Sequence, residues 1–227
     1  MKSHTANESR TGLDQAEHPS ESADERRSLD LGPVGGSLSK GDKPVFTRAV
    51  AMDVARVVCN ALKPVTTRLI VAGSLRRGRA EVHDIEILFI PKTEQVPNPA
   101  DFFSRIEKNH ADDAIEWMIT TGLLAKRLNS AGSFMYGPKN KLMIHCGTGL
   151  PVDLFATTET AWWNYLVART GPAESNIKIA SIAKKRGYAW HPYGDGFSRG
   201  GEVFPMNSEQ DVFAFVGLRY REPKDRR

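Results

Sequence analysis

The chain has few cysteines, no long apolar run and no internal repeat, and each absence removes a class of protein. Its two cysteines, Cys59 and Cys146, stand far apart in 227 residues, with no Cys-x-x-Cys pair and no Cys/His cluster. That excludes a disulfide scaffold or a zinc finger and suits a reducing compartment. No apolar stretch reaches the roughly 18–20 residues of a membrane helix, so no membrane partner is expected. The opening Met1-Lys2-Ser3-His4-Thr5 has no apolar segment behind its lysine, so secretion is not expected either. What is present, 40% hydrophobic and 26% charged residues, is the composition of a globular protein. The length gives room for one large domain or two small ones.

Charge is unevenly divided. Residues 1–45 carry six Lys/Arg against eight Asp/Glu, are rich in Ser, Gly, Glu, Asp and Arg, and show no apolar period. Such a segment buries too little apolar surface to offset its ordering entropy, and it reads as a disordered polar tail. The remaining chain carries 25 basic against 19 acidic residues. A basic domain suits a polyanionic partner, although the same balance also serves plain solubility.

From Phe46 the pattern changes. Val50, Val54, Val57, Val58 and Leu62 recur near a 3.6 spacing and predict a helix ending before Pro64. Strands are expected at 69–72, at 85–90 closed by Pro91, and at 152–155. A polar loop to about Ala100 precedes an expected helix over 102–108, and Asp112–Asp113 are expected to cap another. Residues 134–137 and 141–146 read as a hairpin around Gly137-Pro138-Lys139-Asn140. Helices are expected over 160–169, over 173–186 and, capped by Ser208, over 208–218, with short strands before Phe204. Trp162, Trp163 and Tyr165 at helical spacing read as core packing, or as a stacking surface for bases. Cys59 and Cys146 read as buried small hydrophobes.

Three segments carry chemistry. Gly73-Ser74-Leu75-Arg76-Arg77-Gly78 follows a strand: the glycine lets the backbone approach a ligand, Ser74 adds a hydroxyl and Arg77 a phosphate-binding fork. Taken alone, it also describes a solvated basic turn. In His83-Asp84-Ile85-Glu86-Ile87-Leu88, strand alternation sends Ile85 and Ile87 to the core, and Asp84 and Glu86 out together about 7 Å apart. Two carboxylates so placed can converge on Mg²⁺, or can simply face water. Asp153, inside Pro151-Val152-Asp153-Leu154-Phe155, is a carboxylate among apolar neighbours, hence paired, ligand-bound or at an edge.

Taken together, Gly-Ser, nine residues, Asp-apolar-Glu-apolar and a third acid on a later strand resemble the nucleotidyltransferase superfamily that includes DNA polymerase beta. Gly201-Glu202-Val203-Phe204-Pro205, Ser208-Glu209-Gln210-Asp211-Val212-Phe213 and Tyr220-Arg221-Glu222-Pro223-Lys224-Asp225-Arg226 are similar to the closing segment of family X DNA polymerases. Thr170-Gly171 followed by Asn176 is similar to that family's nucleotide-binding helix. The resemblance covers roughly residues 46–227, with a diverged middle from 92 to 150, and implies an α/β (α+β) fold. A nucleotidyltransferase palm with a mixed β-sheet and flanking helices would occupy 46–158. A small, mostly helical, nucleotide-selecting subdomain would occupy 159–227.

By resemblance, Asp84, Glu86 and Asp153 are the catalytic, metal-holding carboxylates for two Mg²⁺ ions, with Mn²⁺ able to substitute. Gly73, Ser74, Arg77, His83, Arg169, Thr170, Gly171 and Asn176 would bind the nucleotide, and Lys178, Lys184, Lys185 and Arg186 the DNA phosphates. The tail residues Lys224, Arg226 and Arg227 are further phosphate candidates. The implied activity is addition of a dNMP to a primer 3′-hydroxyl, of gap-filling or repair type, by a monomer on gapped or primer-template DNA. Its location would be cytoplasmic or nucleoid-associated. Non-templated transfer to a nucleic-acid end or another acceptor, and a catalytically weak DNA- or nucleotide-binding pseudoenzyme, are the alternatives.

The chain departs from the family at several points. Glu86 stands where family X usually has Asp. Ala168-Arg169 replaces the aromatic pair common before Thr-Gly, and Pro151 stands where an arginine often supports the catalytic aspartate. Ile177 and Ala180 occupy positions where cationic residues often touch the template. Residues 1–45 are too polar for the family's N-terminal lyase domain, and no helix-hairpin-helix glycine signature lies between Phe46 and Gly73. For Gly171-Pro172, a cis peptide of the kind that family uses and a plain proline helix start are both open.

Overall fold

The computed structural model describes residues 43–226, within one compact unit, Gly41–Arg227. The expected disordered tail falls outside the described residues up to residue 42, and so does Arg227. A short strand β1 (Phe46–Thr47) leads into α1 (Arg48–Leu62), where Thr47 caps by accepting from the Val50 amide at 3.4 Å. Val54, Val58 and Leu62 are buried; Val50 and Val57, on the trailing edge of the same stripe, are exposed. Next come β2 (Thr66–Val71), the one-turn helix α2 (Gly73–Arg76), β3 (Glu81–Val82) and β4 (Ile85–Pro91).

The segment after β4 corrects two expectations. Instead of a loop and a helix, β5 (Thr93–Asn98) and β6 (Asp101–Asn109) form an antiparallel ribbon in which Val96 faces Ile106. An apolar spacing of four serves a helix face and, being even, a strand face, so sequence periodicity does not separate the two. Helix α3 (His110–Thr120) is capped by Asn109, which accepts from the Ala111 amide at 2.9 Å. Asp112 and Asp113 lie in the first turn rather than at the cap, where their charge favours the helix N-terminus.

Strands β7 (Leu124–Lys126), β8 (Asn140–His145) and β9 (Pro151–Ala156) complete a five-stranded mixed sheet in the order β2-β4-β9-β8-β7. Only β4 and β9 run parallel. The turn at Gly137–Asn140 forms as expected. Its first arm, however, reduces to a single bridge from Tyr136 to Lys141, because β8 pairs with β7 and β9 instead. Ile85, Ile87, Phe89, Val152, Leu154 and Met143 turn one sheet face toward α1 and α3. Full burial of each such side chain is worth about 1.5–3 kcal/mol.

The other sheet face is also covered. Leu88, Ile90 and Phe155 meet Trp162, Tyr165 and Leu166 of α4 (Trp162–Thr170), so core packing is the role the aromatic helix takes. The cis Gly171–Pro172 bond follows, with Pro172 at the N-cap of α5 (Ala173–Lys185). A three-stranded antiparallel sheet, β10 (Ala189–His191), β11 (Gly196–Arg199) and β12 (Glu202–Phe204), precedes α6 (Glu209–Phe215). Ser208 caps α6 as expected, accepting from the Asp211 amide at 3.0 Å. These elements share their own core of Val167, Ile179, Phe197, Val212 and Phe213. Cys59 is half-buried, and burial pushes its thiol up to about 11. Cys146, expected inside, is exposed in the turn after β8, where its backbone conformation serves the turn rather than the core.

Candidate active site

Sheet register builds the site. Asp153 on β9 is the parallel neighbour of Glu86 on β4, so their side chains leave adjacent strands on one face. It is the face that α4 covers farther along at Leu88, Ile90 and Phe155. Asp84 sits one residue before β4 and adds its charge to both carboxylates. Burial, with repulsion from Asp84, pushes Glu86 up to about 7, against the partial relief given by Arg169 and Arg77. Burial likewise raises Asp153, while a hydrogen bond from Arg127 pulls the other way.

The three carboxylates do not close on one point. Arg127 Nη2 donates to Asp153 Oδ1 at 2.5 Å, and Arg169 Nη1 lies 3.7 Å from Glu86 Oε1. Among the described residues no three His, Cys, Asp or Glu side chains form a ready metal cluster. Glu86 lies against Gly73, where a Cβ would come within 2.3 Å of its Oε2, so the Gly73 turn and the Glu86 carboxylate share one space. Gly73, at φ +62°, is in the left-handed region that a side chain disfavours.

Further polar groups come from α2 and the residue after it, the end of β7, α4 and α5. Ser74 Oγ, Arg77 Nε, Arg127 Nε, Arg169 Nε and Asn176 Oδ1 are all buried without a hydrogen-bond partner. Buried polar atoms are ordinarily satisfied, and the orphans on Arg77, Arg127 and Arg169, whose charges act on Glu86 or Asp153, suit a place that takes a polar ligand. Arg77 Nη1 donates to the Thr170 carbonyl and packs against Gly171, where a Cβ would stand 3.3 Å away. Asn176 Nδ2 donates to the Ala168 carbonyl at 2.7 Å, which leaves its own carbonyl oxygen free. Arg169 lies 3.5 Å over the Phe155 ring and 4.7 Å from that of Tyr193.

Other expected site residues stand apart or serve the frame. His83 is exposed, with Nδ1 3.0 Å from the Pro44 carbonyl. Thr170 is fully buried and accepts from Arg76 Nη1 at 2.6 Å. Lys178, Lys184 and Lys185 are exposed along α5, and Arg186 donates to the Phe215 carbonyl at 3.2 Å. Lys178 also borders a cleft of about 870 Å³ between α5 and the chain end, away from the carboxylates.

Two groups had no sequence signal. Arg127 lies in the stretch without motifs and reaches Asp153 only through sheet register. Arg76, inside the Gly-Ser segment, forks onto Glu209 at 2.8 and 2.7 Å, and Arg226 reaches the same carboxylate at 3.2 Å. This network ties α2 to α6 and the chain end. Burial alone would raise Glu209, yet the bonds and charges of Arg76 and Arg226 hold it below the usual carboxylate range.

The carboxylate oxygens are hard donors, and their mutual repulsion suits a divalent cation, so the residues fit Mg²⁺ or Mn²⁺. Residues 165–227 match the family model described as the DNA polymerase beta thumb, which takes in most of α4, then α5, the small sheet, α6 and the basic chain end. That match puts the likeness on the elements that flank the carboxylates: residues 165–227 are similar to the thumb of DNA polymerase beta.

Proposed function

We propose that the chain is a nucleotidyltransferase that adds a dNMP to the primer 3′-hydroxyl of gapped or primer-template DNA. The observation that carries this reading is the register that sets Glu86 beside Asp153, with Asp84 one residue before β4 and the partly unsatisfied Arg77 guanidinium acting on Glu86. Asp84, Glu86 and Asp153 would hold two divalent ions. Such a pair neutralises phosphate charge and clamps the attacking and leaving oxygens.

The chain's own residues supply positioning. Ser74 Oγ and the Arg77 guanidinium, at the Gly73 turn, would hold the β- and γ-phosphates. Asn176, with its free carbonyl oxygen, would face the base or sugar, and Arg169 to Gly171 would line the sugar. Asp153 Oδ2 would accept the 3′-hydroxyl proton. The 3′-oxygen then bonds to the α-phosphorus as the bond to the bridging oxygen breaks, and pyrophosphate leaves. The exposed lysines of α5 would meet DNA phosphate, with binding that weakens steeply as salt rises.

Incorporation from each single dNTP on a one-nucleotide-gapped duplex, compared with a single-stranded primer, tests the reading. Addition of the complementary nucleotide to the gapped duplex is the expected result. Equal addition to both DNAs would move the protein to non-templated transfer, and no addition to either would leave a binding protein.

A further inference from the structure

Arg127 stands outside every motif, yet it makes the shortest contact to the acid that the proposed reaction uses as base. The sheet explains how. Lys126 pairs with Met143, and the Arg127 amide continues that ladder by donating to the Leu142 carbonyl at 3.0 Å. Leu142 pairs with Asp153, Asp153 with Glu86, and the Ala72 amide donates to the Glu86 carbonyl at 2.7 Å. Leu142, Asp153 and Glu86 therefore form one row, which Arg127, one residue past β7, and Ala72, one residue past β2 and next to Gly73, extend at its two ends. Residues paired across strands project to the same face, so a long side chain at the β7 end of the row can reach along it.

The contact is selective. Nη2 of Arg127 takes Oδ1 of Asp153 at 2.5 Å, between side chains only 25% and 13% exposed. Pro151, two residues upstream on the same face of β9, has no donor to offer. Asp153 Oδ2 is left without this tether, and Arg127 Nε is buried without a partner.

We infer that Arg127 is the positioning residue for Asp153: it fixes one carboxylate oxygen from a neighbouring strand, so that the other is presented to metal and primer. This rests on the nucleotidyltransferase reading. A charge-assisted bond of this kind orients a metal-binding carboxylate, and loss of such a partner typically costs 10–100-fold in metal affinity or activity. Positioning predicts weaker cation binding when Arg127 is removed. A guanidinium that only competes with cations for the site predicts the opposite sign.

The test is Mn²⁺ binding without nucleotide, followed by electron paramagnetic resonance, on the full chain and on Arg127→Ala, Arg127→Lys and Asp153→Ala. Single-nucleotide incorporation is measured on the same proteins. Arg127→Ala is expected to bind Mn²⁺ about tenfold more weakly and to lose about 10–100-fold in kcat, with KM for dNTP within about threefold. Arg127→Lys is expected to recover part of both losses. Should the alanine variant melt early by circular dichroism, the near-isosteric Arg127→Gln carries the same comparison. Unchanged or tighter Mn²⁺ binding by Arg127→Ala overturns the inference while leaving the function intact. A wild-type protein whose Mn²⁺ binding is insensitive to Asp153→Ala overturns the metal reading and this inference with it.

Discussion

Removing the Glu209 carboxylate would leave two guanidinium groups facing each other where water barely reaches. Glu209 is 4% exposed and Arg226 3%, and the Arg76 fork contacts both carboxylate oxygens within 2.8 Å. Breaking a buried ion pair from one side costs about 3–5 kcal/mol, because the partner charge stays buried without compensation. With two arginines on one carboxylate, Glu209→Ala should fall within that range, a large share of the roughly 5–15 kcal/mol that holds a domain together. Glu209→Gln, which keeps one acceptor oxygen, should cost less. Urea unfolding followed by tryptophan fluorescence reads the difference, since Trp162, Trp163 and Trp190 all lie in or against the cores on either side of α4.

The pH dependence of that difference follows from the native Glu209 carboxyl lying below its ordinary value of 4.5. Its contribution is fully present above that value and is lost as pH falls through the native one. The gap between wild type and Glu209→Ala should therefore be widest near neutrality and shrink toward pH 3. A loss under about 1 kcal/mol at pH 7, or a gap that widens in acid, would refute the account of this network.

Three further outcomes are expected. Gly73→Ala combines a left-handed backbone with a Cβ 2.3 Å from Glu86 Oε2, so it should cost about 1–2 kcal/mol of stability. Its loss of activity should be far larger, because the atom that must move is a proposed metal ligand; equal, small losses in thermal melts and incorporation assays would contradict this. In the metal-free chain, Glu86 at about 7 binds a proton that the unfolded chain releases above 4.5, so its stabilising contribution falls as pH rises between those values. Relative to Glu86→Gln, wild type should lose at most about 3 kcal/mol from pH 4.5 to 8 in urea titrations, and Mg²⁺ should offset that loss. Finally, a thiol reagent at pH 7.5 should label Cys146 rapidly and Cys59 slowly, since Cys146 is exposed and burial pushes the Cys59 thiol up to about 11. Equal rates would contradict the placement of both.

The parts of this fold that were legible in the sequence are those where local pattern and chemistry coincide. β4 and β9 show apolar runs interrupted by Glu86 and Asp153, and Gly73-Ser74 ends a strand. Ser208 precedes α6 with the side chain a cap needs. The ribbon at 93–109 was hidden because its even apolar spacing fits two periods. The α3 cap falls on Asn109 rather than Asp112–Asp113, because all three are good capping chemistry and only backbone geometry chooses among them. Cysteine's preference for burial is a property of residue type alone and carries no information about the turn in which Cys146 is exposed. The site was half legible: the carboxylates and the Gly-Ser turn carry a spacing, whereas Arg127 and the Arg76–Glu209–Arg226 network arise from residues brought together across strands and from distant helices. Such contacts have no sequence period.

The central claim is transfer of a nucleotide by the carboxylates at the β4–β9 pair, and the most direct test is single-dNMP extension of a labelled primer on gapped DNA with Mg²⁺. Wild type, Asp84→Ala and Asp153→Ala are compared after circular dichroism has shown each to be folded. Extension by wild type that depends on Mg²⁺ and disappears in both variants is the predicted result. Extension that survives in folded Asp153→Ala, or a folded wild type that extends nothing, would contradict it.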